Sequence, residues 1–443
     1  MKNIIAICLF FTVALAGVFA QEQEQKGFSV TVDIDTNLVQ YKHTDFQNDE
    51  YQGDTPIPDA DQVHFLSGTN YDDVTLDVSY NDPEGRFGLN VGIEIPALLT
   101  PSFLIGDVYA WGKVFGVFRE KLGKYTDRVV EKIGGDMDLG VFSLEFTDDN
   151  ALTIGSTDSL GLGSNIIGSL STVFIGPVEA SVFFAPNEYH VSKILSMEGT
   201  NTGAKVTVDS YYSYLAGGSV KYRMDDFLTV GAAYRQAHTR GEGTSTGYIF
   251  NDFGLYGIVN NIANIGLTVG VGYSGQLSFE DGDELDSALY QNAIHLDVKY
   301  TGIEKLTIGL YNNMSFYTLG KEYTPGFDAA INAIVPDAYA DETGLVLYNE
   351  LEAGYRITDI IGVSLKARNY YATITGRNGA NGQDYGINKL LIEPQVVFTI
   401  SKNALFRAGV NFEAVFYNTP AASVILRNNS FAVGVPIGLT VSY

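Results

Sequence analysis

Cysteine is nearly absent from this chain: the only one in 443 residues is Cys8. It lies in an N-terminal stretch in which Lys2 is followed by an apolar run, Ile4 to Val18, and then by Phe19 and Ala20. This pattern is typical of a secretory signal peptide, here 1–20, cleaved near Ala20. We therefore predict a thiol-free mature domain, 21–443, which excludes disulfides, cysteine ligands and cysteine nucleophiles. An exported chain of this size needs another source of stability, and a closed hydrogen-bonded barrel provides it.

Long apolar runs and basic residues are also scarce. After residue 20 no segment approaches the roughly 20 apolar residues of a transmembrane helix, and no convincing amphipathic helix exceeds two turns. Lys and Arg number 27 against 52 Asp and Glu, which gives a formal charge of −25. Such a balance argues against nucleic acid as a partner. Glycine, tyrosine and phenylalanine are abundant, as expected of a barrel wall with aromatic girdles.

The last thirteen residues, 431–443, alternate between apolar and small or weakly polar side chains. This alternation predicts one long strand with a continuous apolar face. It exceeds the average globular strand of about 5–6 residues and suits a tilted membrane-spanning strand of about 9–11 residues. The stretch resembles the closing strand of bacterial outer-membrane β-barrels, which implies a sorting signal read by the barrel-assembly machinery. That signal comprises Phe431, Val433, Val435, Ile437, Leu439, Val441 and Tyr443. The alternative is the buried edge of a large soluble β-sandwich.

Short turns and long polar loops alternate along the rest of the chain. Tight turns are predicted at 81–85, 225–226, 260–261, 301–305, 358–359 and 401–403. The segments between these hairpins are longer and rich in Gly and Asp, an asymmetry typical of outer-membrane barrels. Twenty candidate strands are found, or eighteen without the two weakest, 119–126 and 150–156. We therefore predict an all-β, up-and-down antiparallel transmembrane barrel of about 18 strands (range 16–20).

The two faces of the predicted strands differ sharply in charge. In the last three strands every position on the apolar face is uncharged, whereas the opposite face has acids and bases. A lysine or arginine facing lipid at mid-depth would cost about 2–4 kcal/mol, and a dry core would not tolerate unpaired charges. The charged face therefore predicts a watery lumen. The predicted pore-lining residues are Glu350, Glu352, Arg356, Lys366, Arg368, Glu393, Arg407 and Glu413.

Two prolines conflict with this pattern. Pro394 and Pro436 lie inside predicted strands that have neighbours on both sides. Proline removes a ladder hydrogen bond and normally occupies an edge or a bulge. We therefore expect a local bulge at each of them.

Residues 107–126 form an aromatic-rich strand with Tyr109 and Trp111, a short turn, and a strand containing Leu122-Gly123-Lys124-Tyr125. This unit resembles porin-like outer-membrane proteins, particularly those of spirochaetes, and the hairpin pattern extends the resemblance over most of the mature chain. The resemblance implies passive diffusion of small hydrophilic solutes, assembly as homotrimers, and an inward-folded loop that narrows the pore. Residues 127–136 and 319–342 are the two candidates for that loop.

Other sites find little support in the sequence. The five histidines make no close sequence pair of the kind that favours zinc, and no serine lies in a nucleophile motif. An acidic stretch from Glu280 to Glu284, with Asp286, could bind calcium through its carboxylates, but it lacks the spacing of a recognised calcium loop and is better interpreted as a solvated loop. A second acidic stretch, within 45–61, likewise reads as solvated. We expect no catalytic residue, no cofactor and no metal, and predict that the protein is not an enzyme.

The sequence therefore predicts a porin in the bacterial outer membrane, embedded in lipid and passing small polar solutes with a preference for cations. The alternative is a surface adhesin or antigen whose barrel only displays its loops. A fatty-acid-type transporter would need an N-terminal plug of roughly forty residues, and strands begin near Phe28. Conductance in a planar bilayer separates a porin from an adhesin.

Overall fold

The computed structural model describes residues 27–45, 60–65, 72–95, 104–135, 143–146, 168–189, 211–241, 248–280, 289–319, 343–375, 385–418 and 429–442. They form twenty-one β-elements. The first eleven are β1 (Phe28–Asp45), β2 (Ala60–Phe65), β3 (Asp72–Asn81), β4 (Phe87–Ile95), β5 (Leu104–Val114), β6 (Phe118–Arg128), β7 (Ser143–Phe146), β8 (Gly168–Ile175), β9 (Val178–Tyr189), β10 (Tyr211–Met224) and β11 (Leu228–Gly241). The others are β12 (Tyr248–Ile262), β13 (Leu267–Glu280), β14 (Leu289–Tyr300), β15 (Leu306–Leu319), β16 (Thr343–Arg356), β17 (Ile361–Thr375), β18 (Tyr385–Ser401), β19 (Ala404–Gly409), β20 (Asn411–Asn418) and β21 (Asn429–Ser442).

These elements make eighteen strands because three strands are interrupted. β2 and β3 pair with the two halves of β1, and β7 and β8 pair with successive parts of β6. β19 and β20 both lie between β18 and β21. The predicted number of about eighteen strands is confirmed. That number was reached by leaving out 119–126 and 150–156, and leaving out 119–126 was wrong, because this segment lies within β6. The other weak candidate, 150–156, lies outside the described residues.

The sheet closes on itself. β1 pairs antiparallel with β21, from Thr31 opposite Ser442 to Asp45 opposite Asn429, and every other pairing is antiparallel between neighbours in the chain. Closure removes the open edges that β1 and β21 would otherwise present, as a sheet in lipid requires. The all-β, up-and-down barrel fold is therefore confirmed.

The short connections lie on one rim. They span 82–86, 115–117, 176–177, 225–227, 263–266, 301–305, 357–360 and 402–403. Asp225 and Asn264 adopt positive φ angles of 48° and 58°, a region that aspartate and asparagine tolerate better than most residues. The nine remaining connections join strand ends at the other rim, and most of their residues lie outside the described ranges. The prediction that short and long connections alternate along the chain, with the short ones at one rim, is confirmed.

The wall has an apolar outer face and a polar inner face. In β21 the even positions from Ala432 to Gly438 are buried inside, and the odd positions point outward, with Phe431 at 43% exposure. Large outward side chains elsewhere are equally uncovered, among them Val182 at 63% and Leu255 at 56%. Such a continuous apolar exterior would be unfavourable in water but is the surface that lipid covers. Within the described residues no helix is long and apolar enough to cross a membrane.

The two prolines behave differently. Opposite Pro436 the register of β1 shifts between Asn37 and Gln40, so the expected bulge is present there. At Pro394 the expectation of a bulge is wrong. The register is the same on both sides of it, with Gln395 opposite Gly409 and Ile392 opposite Phe412. The ladder is only interrupted, which separates β19 from β20, because proline has no N–H to donate.

Candidate functional site: the charged lumen

A row of acids and bases lies on the inner face of β16, β17 and β18. Register places Glu350 opposite Arg368, and Lys366 between Glu352 and Glu393. Lys366 Nζ lies 3.3 Å from Glu352 Oε1 and 3.5 Å from Glu350 Oε1, and Arg368 Nη2 lies 3.4 Å from Glu393 Oε2. The Glu350 and Glu393 side chains are buried, at 0% and 2% exposure. Carboxylates this deeply buried require nearby positive charges to stay ionised.

Arg407, on β19, bridges to a strand that is not its neighbour. Its Nη2 lies 3.1 Å from Asp33 Oδ1 and 3.0 Å from Asp35 Oδ2, both on β1. The guanidinium passes over β21 at Gly438, where a Cβ would lie 2.1 Å from Asp35 Oδ1. A larger residue here would therefore have to displace the Asp35 and Arg407 side chains. The two aspartates were not among the predicted site residues, although their alternation with Val32 and Ile34 marked them as inward-facing.

Two predicted residues stand apart from this row. Glu413 is on the inner face of β20, opposite Ala432 and Leu391, and is half-buried. Arg356 ends β16 beside the 357–360 turn and is exposed. All eight predicted pore-lining residues thus have inward register, but only six belong to the ion-pair network.

A recess of about 490 Å³ opens in this part of the wall. Three acids and three bases line it: Asp35, Glu352, Glu393, Lys366, Arg368 and Arg407. Thr307, Ser364 and Gln395 add uncharged hydrogen-bonding groups. The charged side chains that line the recess therefore carry no net formal charge.

The segment 129–135, directly after β6, folds into the barrel. Val130 is fully buried, in a cluster with the inward side chains Leu170, Phe183, Leu215 and Tyr256. Further along, the backbone N–H of Ile133 donates to Asp297 Oδ2 on β14 at 2.9 Å. One short segment can contact strands as far apart as β8 and β14 only from inside the barrel, where the wall is concave. Of the predicted inward loop 127–136, residues 127 and 128 belong to β6 and 129–135 form this segment. The other candidate, 319–342, lies almost wholly outside the described residues.

Small residues on the inner wall make room for this segment. A Cβ on Gly270 would lie 3.0 Å from Ile133 Cδ1. On the segment itself, a Cβ on Gly134 would lie 2.6 Å from the Tyr311 ring. A side chain at 134 would meet the Tyr311 ring, and one at 270 would press on the Ile133 side chain, so glycine suits both positions.

Ion pairs hold the same segment at its acidic residue. Glu131 Oε1 accepts from Lys221 Nζ and from Arg223 Nη2, the latter at 3.2 Å. Lys221 also lies 3.6 Å from Glu179. Nearby, Lys121 Nζ lies 4.0 Å and 3.9 Å from the ring centroids of Tyr109 and Tyr125, within cation–π range. The ion pairs of Glu131 with Lys221 and Arg223 therefore anchor 129–135 to a basic part of the wall.

Sequence reasoning missed a fully buried inner pair. Arg235 Nε donates to Asp252 Oδ2 at 2.6 Å, and both side chains are at most 2% exposed. The two residues are register partners on β11 and β12. The only signal in the sequence was that both residues lie at inward-facing positions of their strands. Nothing in the sequence fixes the register between the two strands.

The other candidate sites receive no support from the described residues. In those ranges no group of three His, Cys, Asp or Glu residues is placed to hold a metal. His43 contacts Asp61 at 2.8 Å, and His295 is buried on the inner face of β14. Of the predicted acidic loop, Glu280 ends β13 and 281–286 lie outside the described ranges, so the calcium alternative stays a hypothesis.

Closure, an apolar exterior and a charged interior together define the architecture. The chain is a closed, eighteen-stranded antiparallel β-barrel with the apolar exterior expected of a barrel that lies in a membrane. No protein-family model and no curated protein matches the sequence.

Three solved structures illustrate what the chain is similar to. OccAB3 of Acinetobacter baumannii is 13% identical, over 94% of this chain and 99% of that one, with a TM-score of 0.46. OpdQ of Pseudomonas aeruginosa is 14% identical, over 94% and 98%, with a TM-score of 0.45. OmpT, an outer membrane protein of Vibrio cholerae, is 12% identical, over 95% and 99%, with a TM-score of 0.43. The strand order and the faces described above are what establish the fold, and the spirochaete resemblance of 107–126 stays a prediction.

Proposed function

We propose that this protein is a porin that lets small hydrophilic solutes cross the bacterial outer membrane by passive diffusion. The observation that carries the proposal is the lumen itself. Ion-paired acids and bases line one side of it, from β16 round to β1, and the inward segment 129–135 lies against the other side, from β8 to β15. A passage between two such surfaces favours polar solutes, because an apolar solute would displace water from charges without replacing their solvation.

The pore-lining role of Glu350, Glu352, Arg356, Lys366, Arg368, Glu393, Arg407 and Glu413 belongs to this proposal. Their inward register supports it. Arg407 and its two aspartates also connect β19 to β1 across β21, so the same residues stabilise the closure of the barrel. We expect solute selectivity to depend most on Lys366 and Arg368, which line the recess and are about one-quarter exposed.

We further propose a modest cation preference. Removing Lys2 with the signal peptide changes the formal charge from −25 to −26 (−25 − 1 = −26). The charges of the recess balance, so the preference would come from the acidic loops at the long-loop rim. A pore entrance whose charges share one sign concentrates counter-ions. This effect weakens as the screening length falls from about 10 Å at 0.1 M salt to about 3 Å at 1 M.

The route to the membrane is also part of the proposal. Export would use the signal peptide, and the apolar odd positions of β21, ending in Tyr443, would be read by the barrel-assembly machinery. The outward direction of Phe431, Val433, Val435, Ile437 and Leu439 supports this, whereas Tyr443 lies outside the described residues. Homotrimer assembly, implied by the family resemblance, is proposed with it.

Single-channel recording in a planar bilayer tests the function. We expect stable ion currents, and a reversal potential in a salt gradient that indicates cation preference and declines as the salt concentration rises. Neutralising Glu280, Asp281, Asp283, Glu284 and Asp286 to the amides should reduce the preference without closing the channel. An anion-selective current would contradict the preference, and a folded barrel without current would contradict the porin proposal and favour a loop-display function.

A further inference from the structure

Glu120 is a carboxylate on the lipid-facing side of the wall. Its outward neighbours along β6 are Phe118 and Leu122, at 36% and 53% exposure. Arg119 and Lys121, at the alternate positions, make their contacts on the inner side. An ionisable side chain directed at lipid is costly, and in a membrane protein it is by default a sign of function.

The hydrogen bonds of Glu120 come from two serines on β8. Ser169 donates to its Oε1 and Ser171 to its Oε2, so both oxygens accept, as in an ionised carboxylate. Within the described ranges no lysine, arginine or histidine forms an ion pair with Glu120. The outward base on the same strand, Lys124, is four residues away, which is roughly 13 Å along a strand. A positive partner for this carboxylate therefore has to come from outside the described wall.

Small residues surround Glu120 on the outer face. Its register partners are Gly112 on β5 and Ser171 on β8, and an added Cβ on Gly112 would have nothing within 4 Å. Exposed apolar side chains on β4, β6 and β9 stand around these small residues: Phe87, Leu89, Phe118, Leu122, Val182 and Phe184. The carboxylate thus lies in an open depression with apolar sides, the Glu120 pit.

An apolar groove of about 670 Å³ adjoins the pit and crosses the outer face from β6 to β12. The groove and the pit share Phe118, Ser171 and Val182. Small residues on three consecutive strands leave the space between larger neighbours: Ala180, Gly218 and Ala232. A flexible apolar chain that starts at the pit can therefore lie in the groove without displacing a side chain of the wall.

The groove rises from the rim with the short turns toward the middle of the wall. Glu120 is the third residue of β6, which follows the short turn 115–117. Gly218 lies at the middle of β10, and Leu255 at the middle of β12. Three residues of a tilted strand rise about 8 Å, and the headgroup region is about 5–8 Å thick on each side of the bilayer. Glu120 is therefore within reach of a headgroup, and the far end of the groove is level with acyl chains.

We propose that the Glu120 pit and the groove bind one phospholipid whose headgroup carries a primary ammonium, as in phosphatidylethanolamine. The ammonium supplies the positive charge and the N–H donors that the carboxylate accepts from, and an acyl chain fills the groove. The lumen does not compete for this carboxylate, because it lies on the other side of the wall. The inference requires only that the barrel lies in a bilayer and is independent of whether the lumen conducts.

Native mass spectrometry of the intact barrel, in micelles that contain equal amounts of phosphatidylethanolamine and phosphatidylcholine, tests the proposal. The two lipids share their phosphate and acyl chains and differ in the N-methyl groups, which remove the N–H donors. We expect the wild type to retain one phosphatidylethanolamine, with a dissociation constant about tenfold below that of phosphatidylcholine. Glu120→Gln should remove this difference. The matched control is Glu304→Gln, an exposed acid in the turn 301–305 at the same rim, which should keep it.

A second variant tests the groove. Ala232→Phe places a large apolar side chain in it without changing any charge, and should weaken retention of both lipids. Heat-modifiable electrophoretic mobility reports folding of each variant.

Equal retention of the two lipids by the wild type would overturn the proposal. So would a preference that survives Glu120→Gln, because that lipid would lie elsewhere, and retention that Ala232→Phe leaves unchanged. Cross-linking of Glu120 to a protein amine in native membranes, with no lipid retained, would assign the pit to a protein partner and overturn it as well. Loss of conductance with an unchanged lipid preference would count against the porin proposal alone.

Discussion

The backbone N–H of Ile133 donates to Oδ2 of Asp297 across 2.9 Å, although 164 residues separate the two in sequence. This hydrogen bond holds the segment 129–135 against the inner face of β14. Removing the acceptor leaves a part-buried N–H without this partner, and the full cost of an unpaired buried N–H, about 1–3 kcal/mol, is the upper limit. We expect Asp297→Ala to free the segment and to increase both single-channel conductance and current noise, whereas Asp297→Asn, which keeps an acceptor oxygen, should change them less. Equal currents in wild type and Asp297→Ala would show that 129–135 does not limit the pore.

The contact of Arg407 with Asp33 and Asp35 depends on the missing side chain at Gly438. A Cβ there would lie 2.1 Å from Asp35 Oδ1 and 2.9 Å from Arg407 Nε. We expect Gly438→Ala to displace this ion pair and to lower the thermal unfolding midpoint, read from heat-modifiable mobility. Gly354→Ala is the matched control, an inward glycine of β16 with nothing within 4 Å of the added methyl. Equal midpoints for the two variants would mean that the ion pair contributes nothing to closure.

The faces of β20 can be checked with single cysteines, because the sequence has no cysteine other than Cys8. Glu413 faces the lumen and is half-buried, whereas Phe412 faces outward at 42% exposure. Glu413→Cys should react with a water-soluble thiol reagent, and Phe412→Cys should react only with a lipid-soluble one. Asn411→Cys should react slowly despite its inward direction, because Asn411 is 2% exposed between Asn37 and Gly434. The reverse pattern at 412 and 413 would refute the register.

The terminal strand supplies one side of the ladder that closes the barrel. β21 pairs with β1 along nearly its whole length, so deleting 431–443 removes the closing partner of β1 and exposes two edges. We expect the truncated chain to remain in the periplasm and to be degraded by added protease. A truncated chain that reaches the outer membrane in heat-modifiable, protease-resistant form would contradict both the closure and the sorting signal.

The turn after β3 gives a prediction about pH. Arg86 Nε donates to Asp82 Oδ2 at 2.8 Å, and this hydrogen bond lowers the pKa of Asp82 below its ordinary value. A lowered pKa in the folded state means that the contact stabilises the turn above the unfolded-state pKa of about 3.9 and is lost as the pH falls through the folded-state value. Arg86→Ala should therefore make the turn more sensitive to proteolysis at neutral pH, and this difference from wild type should disappear in strong acid. An unchanged difference at every pH would exclude the ion pair as its cause.

The sequence by itself determined which side chains of each strand share a face, and it determined that short and long connections alternate. The period of two from Phe431 to Val441 is local, since each side chain alternates about its own backbone whatever the neighbouring strand is. The short turns are equally local, because they depend on residues such as Asp225 that tolerate a positive φ. For this reason inward charges such as Glu350 and Arg407, and the even strand number, could be predicted without a structure.

Only the tertiary structure decided which of these residues meet. Arg407 contacts Asp33 and Asp35, 374 and 372 residues away, because the barrel closes and places β1 two strands from β19. The course of 129–135 across the inner wall, and the alignment of Glu120 with Gly112 and Ser171, follow from the register between strands. Register is set by pairing and closure over the whole sheet. A local pattern fixes the direction of a side chain but not its height on the wall, and the height selects its partner.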